Sequence, residues 1–200
     1  MIEPIKLQLN RVGLMEMIKQ HKSNIDVAVE IGTYKGDFAK LMYDTLQPDF
    51  LYAVDPFRVM DGYTDNPSGG KIDFSSNDAL NELANTVAEK VAGFGRARLL
   101  RATSIDAALR FEDESLDLVY IDGCHKYESV KRDIETWYPK IKSGYILAGH
   151  DYSIGSRQER FGVIEAVQEF VKINDLRFAI TTKDNFNSWV ICKDNKDLFF

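Results

Sequence analysis

The chain has 200 residues, 44% of them hydrophobic and 28% charged. That is the length and composition of a single globular domain, which excludes collagen-like, disordered and disulfide-scaffold architectures. Its 25 Lys and Arg stand against 31 Asp and Glu for a net charge of −6. Such a balance is a poor match for a phosphate backbone, so no nucleic-acid partner is expected.

Two cysteines, Cys124 and Cys192, form no C-x-x-C pair, as befits a reducing compartment. The opening MIEPIKLQLNRVGLMEMIKQ carries charges through its apolar positions and has no signal-peptide core. No stretch approaches the roughly 18 apolar residues of a membrane span. A soluble, cytoplasmic protein without membrane contact is the expectation.

In chain order, residues 1–22 read as a helical segment, with apolar positions Val12, Met15 and Ile18 at helical spacing. A β-type run follows over Ile25–Gly32, then a helix from about Gly36 to Leu46, closed by the turn residues Pro48 and Asp49. The next apolar run, Phe50–Pro56, reaches Asp55. Residues Phe57–Asn77 are polar and glycine-containing. Structureless stretches above about 12–15 residues are commonly functional lids, and a lid is expected here.

Asp78–Val91 reads as a helix with Asp78 as its cap and Leu80, Leu83, Val87 and Val91 on one face. Three further strands are expected at Ala97–Thr103, Leu116–Gly123 and Gly144–Asp151, with a helix between the last two. A helix around Phe161–Val171 precedes LRFAITT and SWVICK, which read as an antiparallel hairpin. Continuous apolar strands alternating with amphipathic helices predict one α/β domain over 1–200, doubly wound around a parallel sheet.

Ligands of such sheets bind beyond the carboxyl ends of the strands, where strand order reverses. The residues there are Glu30–Gly36, Asp55, Thr103–Ser104, Asp122–His125 and His150–Asp151. In V-E-I-G-T-Y-K-G, Gly32 suits a tight turn and Gly36 a close helix–sheet approach. Tyr34 stands where a middle glycine would admit a pyrophosphate, so no G-x-G-x-x-G fingerprint is present. Asp55 lies 23 residues after Gly32, a separation that suits ribose hydroxyls. A plain β–α turn at the glycines and a turn-forming Asp before Pro56 are the bland alternatives.

Glu30-Ile-Gly-Thr-Tyr-Lys-Gly36, Asp55, Ile121-Asp-Gly-Cys-His125 and Gly149-His-Asp151 together resemble the class I S-adenosylmethionine-dependent methyltransferases. The likeness runs over about Asp26–Tyr152. It is narrowest toward the small-molecule branch of macrolide-sugar O-methyltransferases and cephalosporin-hydroxylase-like proteins. The resemblance implies a Rossmann-like domain with a mostly parallel seven-stranded sheet and a C-terminal antiparallel hairpin.

It also implies roles. Glu30 and Gly32, Thr33, Tyr34 and Gly36 would hold the methionine portion of S-adenosylmethionine, Asp55 its ribose, and Ser104 would lie beside the adenine. Asp122 and Asp151 would bind a divalent cation, Mg²⁺ or Mn²⁺, with Asp122 also bordering the cofactor and the chemistry. His125 would be the general base. His150 departs from the pattern, because the metal-using sugar enzymes carry a carboxylate there; it is either a third metal ligand or a structural residue, and a metal-free site using His125 alone is the alternative.

Neighbouring strand ends lie about 5 Å apart, close enough for Asp122 and Asp151 to share one ion. An imidazole, ordinarily titrating near about 6.5, suits proton abstraction from a hydroxyl near neutrality. His125 could instead cap the helix that follows it, Cys124 reads as packing, and His21 has no chemical role.

O-methylation of a hydroxylated small molecule such as a sugar is the expected activity. A nicotinamide-dependent oxidoreductase and a non-catalytic cofactor-binding module are the alternatives. The acceptor pocket is expected from the Phe57–Asn77 loop, the N-terminal helix and Tyr152–Arg160. A homo-oligomer stays open.

Overall fold

The computed structural model describes residues 1–22, 24–59, 75–155 and 161–194. Strands and helices follow one another as β1 (Ile5–Leu7), α1 (Arg11–His21), β2 (Val27–Ile31), α2 (Asp37–Leu46), β3 (Phe50–Val54), α3 (Asn77–Ala92) and β4 (Ala97–Leu100). Then come α4 (Ser104–Ala108), β5 (Leu116–Ile121), α5 (Tyr127–Trp137), a 3₁₀ turn at Tyr138–Lys140, β6 (Ile141–Tyr152), α6 (Val163–Ile173), β7 (Ala179–Thr181) and β8 (Asn187–Cys192).

The strands form one sheet in the order β1-β7-β8-β6-β5-β2-β3-β4. Only β8 runs antiparallel to its neighbours, β6 and β7, as expected of the terminal hairpin. The central strands are continuous apolar runs because both sheet faces are covered. Ala28, Leu51, Leu118, Tyr120, Ile146 and Val190 pack under α1, α2 and α3. Val29, Val54, Val119, Ile121, Leu147 and Trp189 face α4, α5 and α6.

Four local differences from the sequence expectations have physical causes. Among the described residues the sheet has eight strands rather than seven, because Ile5–Leu7 adds to the edge at β7 and the Ile5 N–H donates to the Phe178 carbonyl at 3.0 Å. The segment 1–22 is therefore a strand followed by a helix. In α1 the buried stripe is Leu14, Met15 and Ile18, whereas Val12 is 38% exposed. α3 is capped by Ser76, whose hydroxyl accepts from the Ala79 N–H, so Asp78 sits in the first turn instead. Finally, Thr103 caps a short helix, α4, that the sequence pattern did not announce.

The amino-terminal ends of the strands are tied by a buried carboxylate. Asp117 on β5 accepts from the N–H groups of Asp26 and Val27 at 2.7 and 2.8 Å, and Lys142 Nζ lies 2.8 Å from its second oxygen. Replacing it with alanine strands two backbone donors and a lysine. Asp117→Ala is expected to cost about 3 kcal/mol in urea denaturation. Because this clip lies at the sheet edge remote from the candidate site, ligand affinity should be unchanged in whatever fraction folds.

No helix among the described residues is long and apolar enough to cross a membrane. Most of the expected lid, residues 60–74, and residues 156–160 of the expected acceptor segment lie outside the described residues.

Candidate active site

From β2 the chain winds outward through β3 to β4, then returns across to β5 on the other flank of β2. The order of the sheet thus reverses between β2 and β5, and that is where a doubly wound sheet opens a crevice at its carboxyl edge. The β2–α2 loop and the ends of β3, β5 and β6 meet there.

Gly32 takes a φ of +87°, and a Cβ at this position would lie 2.1 Å from the Asp122 carbonyl oxygen. The loop therefore runs against the end of β5 with no room for a side chain. Gly36, at φ +69°, caps α2 in the left-handed region, while a Cβ there would meet only ordinary contacts. Its glycine serves the backbone turn and not the close helix–sheet approach expected from the sequence.

Asp55 holds this loop from the side. One carboxylate oxygen accepts the Tyr34 N–H and the other the Phe57 N–H, each at 3.0 Å. Burial raises its pKa against those two bonds. Each oxygen retains a lone pair, so capacity for further hydroxyl donors remains.

Glu30, on β2, is 1% exposed. Burial pushes its carboxyl up to about 8, opposed by the hydrogen bond from the Thr33 hydroxyl; Asp122 raises it further, Arg11 lowers it and Asp55 raises it. A buried acid of this kind at a sheet edge is poised to ionise when a cation arrives.

The end of β6 departs from regular strand geometry. Opposite β8 the register runs from Gly149–Trp189 to Tyr152–Asn187, so β6 carries one extra residue. Asp151 lies within this bulge at φ +58°. In a regular strand His150 and Asp151 would point to opposite faces, and bulges re-aim side chains. Here both converge on β5. His150 Nδ1 is 3.3 Å from Asp151 Oδ1 and 3.6 Å from Asp122 Oδ1, and His125 Nε2 is 3.0 Å from Asp151 Oδ2.

Asp122, His150 and Asp151 each offer a ligand atom, all within 4.8 Å of one another. Burial raises Asp122, against His150 and Arg11, while Asp151 raises it and His125 lowers it. Burial would raise Asp151 too, but hydrogen bonds from His125 and His150 and their charge hold it well below the usual carboxylate range.

His125 does not cap the following helix. The N-cap of α5 is Lys126, without a side-chain bond, and the His125 ring packs against Phe161 at 4.2 Å with its Nε2 toward Asp151. Ser104 is engaged internally: its hydroxyl accepts from Trp137 Nε1 at 2.8 Å and bonds Asp133, which burial pushes up to about 6 against that bond and Arg132. Cys124 is a half-buried free thiol. His21 is the last residue of α1, away from the cluster.

Arg11 was not expected here. Its Nη2 lies 3.3 Å from Asp122 Oδ2, and its guanidinium stacks 3.7 Å over the Phe38 ring. The available signal was a cation in register with the buried stripe of α1.

A family model described as a methyltransferase domain matches residues 29–152, which contain every site residue expected from the sequence. The O-methyltransferase NovP superimposes with a TM-score of 0.63 at 18% identity, over 92% of this chain and 80% of that one. SMU.1697c from Streptococcus mutans, solved in complex with SAH, gives 0.61 at 14% identity, over 94% of this chain and 99% of that one. At such identities the likeness is one of fold. Uncharacterized protein y4gI of Sinorhizobium fredii is 39% identical over 77 residues, 38% of this chain. The chain spans only 8% of that relative and 50% of another, uncharacterized protein R132 of Acanthamoeba polyphaga mimivirus.

Proposed function

The chain belongs to the methyltransferase-domain family, and on that premise we propose that it transfers a methyl group from S-adenosylmethionine to a hydroxyl oxygen of a small molecule, a sugar being the class that suits it. The observation that carries this is the convergence of Asp122, His125, His150 and Asp151 beside the glycine turn.

Glu30 and the Gly32–Thr33–Tyr34–Gly36 loop receive the methionine portion of the cofactor, and the free lone pairs of Asp55 receive the ribose. Ser104, at the start of α4, borders the adenine through its backbone, since its hydroxyl is taken by Trp137 and Asp133. The acceptor oxygen attacks the methyl carbon in line with the sulfonium. The O–CH₃ bond forms as the CH₃–S bond breaks, its electron pair stays on sulfur, and the hydroxyl proton passes to the His125 ring nitrogen that does not donate to Asp151. Asp151, 3.0 Å from Nε2, stabilises the imidazolium so formed. The remaining catalysis is alignment.

Two carboxylates and an imidazole within 4.8 Å fit a divalent cation, with a preference for Mn²⁺ over Mg²⁺ because one donor is nitrogen. Asp122, His150 and Asp151 would hold it. When bound, the ion supplies charge stabilisation for a developing alkoxide. In equilibrium dialysis Mn²⁺ should bind at one ion per chain and compete out Mg²⁺. No Mn²⁺ binding would remove the metal from the proposal.

The test of the function is transfer of labelled methyl from S-adenosylmethionine to a panel of hydroxylated small molecules, sugars included. Labelled methyl ethers are expected. Label appearing only on amines or thiols would overturn the O-methylation.

A further inference from the structure

α1 begins at Arg11, behind Asn10, whose side chain accepts the Gly13 N–H at 2.8 Å. Residues three, four and seven apart share a helix face, and Arg11 stands in line with Leu14, Met15 and Ile18, all fully buried. An arginine in that line lays its aliphatic stem over the packed face and carries its charge to the helix's amino-terminal end. That end reaches the carboxyl edge of the sheet.

There the guanidinium is held flat. It stacks 3.7 Å over Phe38, in the first turn of α2, and lies 5.9 Å from the Tyr120 ring. Its Nη2 pairs with Asp122 Oδ2 at 3.3 Å, and its side chain is one-quarter exposed. Asp122 is its one ion-pair partner among the described residues. A planar guanidinium paired through one nitrogen keeps further N–H donors for bidentate recognition of a second carboxylate.

The surroundings say which carboxylate. Arg11 pairs with Asp122 and lies near Glu30, at an edge whose acids, Glu30, Asp55, Asp122 and Asp151, suit a sulfonium and an α-ammonium. The same cofactor also carries an α-carboxylate, which those four acids would repel unless a cation met it. Arg11 is the cation placed against Asp122, close enough to Glu30 to lower its pKa.

We infer that Arg11 clamps the α-carboxylate of the cofactor's methionine portion, bridging it to Asp122. This rests on the proposed function above. It makes α1 part of the cofactor site and gives that site a means of telling an intact aminoacyl end from a decarboxylated one.

The experiment measures calorimetric affinities of wild type, Arg11→Met and Arg11→Lys for S-adenosylmethionine and for decarboxylated S-adenosylmethionine. Wild type should prefer the intact cofactor by about 10–100-fold, the range of a charge-assisted pair. Arg11→Met should lose that preference by weakening only the intact cofactor, with the decarboxylated one held within about twofold. Arg11→Lys, which keeps the charge without the fork, should retain part of it. Equal weakening of both ligands in Arg11→Met would assign Arg11 to packing of α1 and overturn the clamp. An unchanged preference would overturn it as well. A wild type that binds neither ligand overturns the cofactor assignment itself, a result distinct from either of these.

Discussion

His125→Ala is expected to slow methyl transfer at saturating substrates by a factor of about 10²–10⁴, the usual contribution of a positioned general base. Affinity for S-adenosylhomocysteine should stay within about twofold, because the imidazole acts on the acceptor and not on the cofactor. His125 is held in place by the bulge at the end of β6. The bulge turns Asp151 into the left-handed region and brings its carboxylate to 3.0 Å from His125 Nε2. Asp151→Asn probes the same contact with a residue that tolerates left-handed backbone, so the bulge survives while the charge is lost. It should bind Mn²⁺ on the order of 100-fold more weakly, a large loss for one ligand. The wild-type rate should rise with pH along the acid limb, and His125→Ala should lose that limb. A variant with wild-type rate and pH profile would remove His125 from the chemistry.

Glu30→Gln should separate stability from cofactor binding. In the folded chain Glu30 titrates at about 8, against an ordinary value of 4.5. Between those values the unfolded chain has released the proton that the folded chain still holds, so folding stability falls as pH rises through the window and levels off above about 8. The amide has no such proton and still accepts the Thr33 hydroxyl. Glu30→Gln should therefore match wild type near pH 5 and exceed it by a few kcal/mol at pH 8–9 in thermal or urea unfolding.

Cofactor binding should show the reverse order. The arriving ammonium and sulfonium favour the carboxylate form, so wild type should release close to one proton per S-adenosylmethionine bound at pH 7. That release is read from calorimetric heats in buffers of different ionisation enthalpy. Glu30→Gln should bind about tenfold or more weakly and release none. Equal proton release by both proteins would place the titrating group elsewhere.

What could be read before the structure follows from what each feature depends on. β2, β3, β5 and β6 were legible because strands covered on both faces are written as uninterrupted apolar runs. β1 was not, since three residues on an edge, one of them a lysine, carry no such run. The acids at the strand ends were legible because an Asp or Glu closing an apolar run has few structural reasons to be there.

The bulge at His150–Asp151 was invisible. Nothing in Gly-His-Asp specifies a positive φ, and the extra residue is defined only by pairing with β8. Ser104 was placed at the right strand end, but its hydroxyl is claimed by Trp137, a partner fixed only when α4 meets α5. Arg11 and Asp117 act across pairs of elements distant in sequence, where periodicity has no reach.

Whether this sheet edge holds S-adenosylmethionine is tested most directly by calorimetric titration of the protein with S-adenosylhomocysteine. One molecule per chain should bind with a Kd of about 1–100 μM, in the range of ordinary substrate affinities, and Asp55→Ala should weaken it at least about tenfold. Binding absent up to about 1 mM, or unaltered in Asp55→Ala, would contradict cofactor binding at this edge.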